Sequence, residues 1–147
     1  MDAEEGNGIF YHGFSRGKRK ETPGVHADEP YDDVTVLIYL TPGLPPAFGT
    51  SLWQHKRTGL IAAPTQADVC RLGTTLTKLR ETFERDSERR ERWIEIDRVG
   101  YKYNRMLAYP SGMMRSASRH FGSNLRTGRL YQTFRIGIDW STLHVYS

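Results

Sequence analysis

The chain has 147 residues, 37% hydrophobic and 12% aromatic, with 21 Lys and Arg against 17 Asp and Glu for a net charge of +4. That length suits a single domain with its own core, the lack of any ~20-residue apolar run excludes a membrane-spanning helix, and the dispersed arginines, with no basic tail, argue against a nucleic-acid partner recruited by charge. One cysteine, Cys70, rules out an internal disulfide, and the acidic start MDAEEGNG carries no apolar signal segment, so the expected location is cytoplasmic.

GIFYHGF, residues 8–14, reads as a short first strand, and the polar stretch 15–24 as a loop closed by Pro23-Gly24. VTVLIYL, 34–40, is β-branched and apolar throughout, the pattern of a strand buried on both faces. Thr41-Pro42-Gly43 breaks it, and GTSLWQHK, 49–56, is the next strand, turning at Arg57-Thr58-Gly59.

From 66 to 92 the character changes. Val69, Leu72, Leu76, Leu79 and Phe83 recur at helical spacing, and Glu81–Arg85 and Glu88–Arg92 pair across one turn. This segment is expected to be a helical insertion in two pieces, hinged near Gly73 or Asp86, with Cys70 buried in its apolar stripe. Its RETFERDSERRERW run reads as a solvated face laced with ion pairs. Beyond it, 93–110 holds two strands around Gly100, GMMRSASRH (112–120) is a short strand ending in histidine, and 128–140 is a clean strand. Many short strands with irregular connections point to a mainly β sandwich or jelly roll, with 1–147 forming one domain.

The candidate chemistry starts at His26-Ala27-Asp28. Non-haem iron is held by two imidazoles and a carboxylate on one face of the metal. A His-x-Asp pair at a strand end supplies two of these ligands, and His120 is the candidate third. The competing reading has Asp28 capping a turn and His26 exposed. Nine residues after His120, Arg129 opens a strand, where its guanidinium fork can grip a carboxylate through two parallel hydrogen bonds. Tyr131 shares its face of the strand, as does Arg135, which competes for the same role. Tyr39 and Asn104 fall on expected strands facing this region, with core tyrosine and turn asparagine as their competing readings. Trp53 and Trp93 read as core.

The ordered set of His26-x-Asp28, VTVLIYLTP, GTSLWQHKRTGL, YNRMLAYPSGMMRSASRH and TGRLYQTF resembles the 2-oxoglutarate and Fe(II)-dependent dioxygenase superfamily, specifically its prolyl-hydroxylase-like bacterial members, over residues 24 to 138. The resemblance implies a double-stranded β-helix (jelly roll, cupin-like) with the helical insertion at about 66–92. It implies Fe(II) on His26, Asp28 and His120, and 2-oxoglutarate as cosubstrate against Arg129, Tyr131, Tyr39 and Asn104. No catalytic group beyond the metal ligands is implied. The implied activity is an oxidoreductase one, hydroxylation of a small molecule or protein side chain with release of succinate and CO2, and the retained Asp28 favours hydroxylation over halogenation. Two alternatives stand beside it: a non-catalytic jelly-roll binding module that keeps the ligand residues, and a nucleic-acid demethylase of the same superfamily. The 25 residues before His26 leave room for a barrel completed by a second copy in a homodimer.

Overall fold

The computed structural model describes residues 7–13, 24–28, 33–124 and 126–142. Among these residues seven strands and two α-helices follow in the order β1 (Ile9–Gly13), β2 (Val34–Tyr39), β3 (Thr50–His55), α1 (Gln66–Leu72), α2 (Leu76–Asp86), β4 (Trp93–Val99), β5 (Met106–Pro110), β6 (Arg115–Ala117) and β7 (Arg129–Ile136). The expected polar loop at 15–24 lies outside the described residues except for Gly24.

The strands form two antiparallel sheets, one ordered β1-β7-β2-β5 and the other β4-β3-β6. Residues 25–28 extend the smaller sheet beyond β6. His26 and Arg115 pair there in both directions, His26 N to Arg115 O at 3.0 Å and Arg115 N to His26 O at 2.8 Å. The protein is therefore mainly β, as its short apolar segments imply.

Three layers result, with two cores between them. The two sheets face each other across Leu37, Tyr39, Tyr101 and Tyr109, with Leu107 and Tyr131 packed alongside. Tyr39 ties the sheets together. It is fully buried, its hydroxyl lies 2.7 Å from Thr50 Oγ1 on β3, and its ring stacks on Tyr101 at 4.4 Å. The other core lies on the far side of the smaller sheet, where Trp53, Trp93, Met114 and Val25 meet Phe83 of α2. Helix α2 buries Leu79, Thr82, Phe83 and Asp86, an i, i+3, i+4, i+7 stripe that can face only one neighbour.

The insertion divides where a glycine allows it. Thr65 and Asp68 make a reciprocal capping box at the start of α1, and Gly73 ends the helix in the left-handed conformation at φ 59°. The expected hinge is thus at Gly73, and Asp86 instead ends α2. Cys70 is exposed, contrary to expectation, because α1 is a single short turn pair that buries no residue.

At the base of α2, His55 and Asp86 form a buried pair. His55 Nε2 donates to Asp86 Oδ2 at 3.2 Å, its Nδ1 lies 3.0 Å from Thr58 Oγ1, and its ring sits between Phe83 and Trp93. Burial holds the imidazole below its ordinary titration range, outweighing the opposing pull of Asp86. The pair is a polar rivet between strand and helix, completed by Trp93 Nε1 donating to Asp86 O at 2.8 Å.

Candidate functional site

Segment 25–28 is a wall shared by two cavities. On the outer side, a groove of about 1190 Å³ lies between this segment and α2, rimmed by exposed Arg80, Glu84, Arg85, Glu88 and Arg89. These side chains are exposed and solvated as expected, but the ion pair that Arg85 makes is to Asp86 at 3.0 Å, and the expected Glu81–Arg85 and Glu88–Arg92 pairs are not among those of the described residues. On the inner side, a pocket of about 280 Å³ is lined by Tyr11, His26, Asp28, Thr35, Arg115, Tyr131, Thr133 and Arg135. Its polar and aromatic groups converge from four strands and the 25–28 segment, and the candidate chemistry lies here.

The strand period explains the convergence. On β7, residues 129, 131, 133 and 135 alternate onto the face turned toward the smaller sheet. On β2, Thr35 and Tyr39 do the same, and Tyr11 of β1 stands opposite Tyr131 with the two rings stacked at 5.4 Å.

His26 and Asp28 both line this pocket, and the side chain that meets Asp28 there is Arg115. The cross-strand pairing with His26 places Arg115 on the same face, and its guanidinium holds both oxygens of Asp28. Nη2 donates to Oδ1 at 2.5 Å and Nε to Oδ2 at 3.2 Å, with side chains only 14% and 10% exposed. Tyr109 donates its hydroxyl to the same carboxylate at 3.2 Å, and its ring lies under the guanidinium at 5.3 Å. Burial alone would raise the Asp28 carboxyl, but Arg115 outweighs it and holds the group below the ordinary carboxylate range. The Tyr109 hydroxyl, buried beside Asp28, is pushed well above the ordinary tyrosine range. His26 Nδ1 lies 3.0 Å from the Gly24 carbonyl.

His120 lies beyond the end of β6 at Ala117, in the connection to β7, so the strand does not carry it into line with His26. Among the described residues no group of three His, Cys, Asp or Glu side chains could hold a metal ion. The donor set does not fit Fe(II). The place across from His26 belongs to a permanent cation that donates hydrogen bonds and has no lone pair to offer a metal, and it engages both oxygens of the carboxylate meant as a ligand.

The expected cosubstrate residues divide. Asn104 is in the turn between β4 and β5, not on a strand. It takes φ 58°, a left-handed conformation that asparagine tolerates better than most residues, and its N–H donates to Tyr39 O at 2.8 Å. Tyr39 is the core residue described above. Tyr131 lines the inner pocket. Arg129 is 3% exposed, with its guanidinium 5.4 Å from the Tyr39 ring and 5.0 Å from the Tyr131 ring, and its Nε has no hydrogen-bond partner among the described residues. Arg135 lines the pocket itself, so the two rival anchors occupy successive parts of one strand face.

Residues 19–136 match the profile of a family of unknown function, DUF6445. The chain belongs to the DUF6445 family. No curated protein and no solved structure matches the chain. The family match covers the inner pocket almost completely, from His26 to Arg135, and leaves out only Tyr11.

Proposed function

We propose that this DUF6445 chain is a jelly-roll binding module that holds a small carboxylate-bearing molecule between its sheets, with no metal at its own centre. The observation that carries the reading is Arg129. A full positive charge buried to this degree, with Nε unpartnered and two tyrosine rings about it, is costly unless an anion completes it. Aromatic walls and a guanidinium fork are the means by which proteins orient a carboxylate. Tyr131, whose ring lies 5.0 Å from this guanidinium, also lines the inner pocket, which is at the small end of ligand sites, suited to a compact metabolite and too small for a polymer.

The strand order supports the fold half of the reading. Four strands in one sheet, three in the other and the 25–28 segment as an eighth give two four-stranded sheets, the count that a jelly roll requires. The Asp28–Arg115 pair supports the metal-free half, as does the lack, among the described residues, of a group of three His, Cys, Asp or Glu side chains that could hold a metal ion.

The test is calorimetric titration of the native chain with short dicarboxylates such as succinate and 2-oxoglutarate, without added metal, beside Arg129→Met. The native chain is expected to bind, and the variant to bind about tenfold more weakly or worse, for loss of a charge-assisted pair. Arg129→Met should also be as stable as the native chain or more so, because it removes an incompletely partnered buried cation. Equal binding by the two chains removes Arg129 from the site. Turnover of 2-oxoglutarate to succinate with Fe(II) would restore the oxygenase reading.

A further inference from the structure

We infer that position 115 is the missing third corner of a divalent-metal site, and that the Arg115 guanidinium is the centre's resident cation in place of a metal ion. The geometry comes from one cross-strand pair. Because His26 and Arg115 exchange both backbone hydrogen bonds, their side chains leave the same face of the smaller sheet, with Cβ atoms about 5.5 Å apart. Asp28, two residues on from His26, is directed to that face as well. Convergence is observed rather than assumed, since the side chain at 115 reaches Asp28 through two hydrogen bonds.

An imidazole at 115 would replace five fixed donors with a lone-pair nitrogen. With His26 and Asp28 it would complete two imidazoles and one carboxylate on a single face, the arrangement suited to divalent iron, manganese and cobalt. The same substitution removes the charge that now neutralises Asp28. The exchange thus works in both directions. Arg115 supplies a positive charge without coordination, whereas an imidazole in its place would supply coordination without a charge, leaving the positive charge to the metal.

The inference shares with the proposed function only the reading that the native centre is metal-free. Failure of carboxylate binding at Arg129 leaves it standing, whereas metal uptake by the native chain overturns it directly. The experiment titrates Mn(II) and Co(II) into the full chain and into Arg115→His, following heat and, for cobalt, the visible spectrum. Arg115→His is expected to take up one equivalent, about tenfold or more tighter than the native chain. That uptake should be lost when His26→Ala or Asp28→Ala is added. If Arg115→His does not fold, Arg115→Gln removes the charge at similar length and is expected to show weaker uptake that still depends on Asp28. Stoichiometric binding by the native chain overturns the inference. So does a folded Arg115→His that binds no better than native, an uptake that survives loss of His26, or an Arg115→Gln with no gain over the native chain.

Discussion

Truncating Arg115 to alanine tests how the centre is held together. Removing one partner of a buried ion pair leaves the other charge without its counterion, at a cost of about 3–5 kcal/mol. Asp28 and Arg115 keep 10% and 14% of their side-chain exposure, so water offsets part of this and the lower end, about 3 kcal/mol, applies. For a domain of this size that lowers Tm by roughly 10 °C. The pH dependence gives a sharper signature. In the native chain Asp28 titrates below its ordinary value, so its contribution is present above the carboxylate range and is lost as pH falls through the lowered pKa. In Arg115→Ala burial, the largest influence on this carboxyl, is opposed only by the weaker pull of Thr35 and His26 and raises the Asp28 pKa, so the variant recovers stability by protonating as pH falls. Urea unfolding followed by circular dichroism should give a native-to-variant gap of about 3 kcal/mol at neutral pH that narrows toward about pH 4. Asp28→Ala/Arg115→Ala should cost less than the sum of the single variants by about 2 kcal/mol. A gap independent of pH, or additivity of the two substitutions, would refute the reasoning.

Two further outcomes follow from the scaffold. Burial lowers the His55 pKa, so native stability should fall as pH drops from about 6.5 through that lowered value, because the unfolded chain takes up the proton first. His55→Gln should flatten the urea-derived stability between about pH 6.5 and 5, and an unchanged slope counts against a buried neutral imidazole. Gly49 leaves no room for a side chain, since a Cβ there would stand 1.8 Å from Val99 O and 2.8 Å from Tyr101 N, both backbone atoms. Gly49→Ala should cost about 3 kcal/mol or more by thermal unfolding, and an unchanged Tm would rule out this close approach.

Much of the scaffold is legible in the sequence because its signals are local. β2 shows as a β-branched run bounded by Thr41-Pro42-Gly43, α2 as the spacing of Leu79 and Phe83, and the break between helices as Gly73. The candidate site is legible only in part. His26, Asp28, Arg129 and Tyr131 stand where strand ends and strand parity put them, because those rules act over a few residues. Arg115 is different. Its role depends on pairing with a segment 87 residues away from it in sequence at Asp28, and nothing in Met113-Met114-Arg115-Ser116 announces that register. Looking for a third imidazole leads to His120, but β6 ends at Ala117 and the chain has left the sheet by then. Strand counting carries the signal: the residue that faces His26 has to lie within the short strand, and Arg115 is its first residue. Asn104 is ambiguous for a similar reason, since a polar residue between two strands reads as either strand or turn until a left-handed φ decides it.

The division of aromatic residues between the two cores gives each its own optical signature. Trp53 and Trp93 are both buried where α2 meets the smaller sheet, while the space between the sheets is lined with tyrosines, Tyr39, Tyr101, Tyr109 and Tyr131. Trp140 is exposed, so its emission in the folded chain is already that of an indole in water. Changes in tryptophan emission therefore report the docking of the helix, and tyrosine absorbance reports the closure of the sheets around the pocket. Unfolding curves from the two colours coincide if the three layers separate together and part if the helix leaves first, so a single denaturant titration reads the cooperativity of the whole stack.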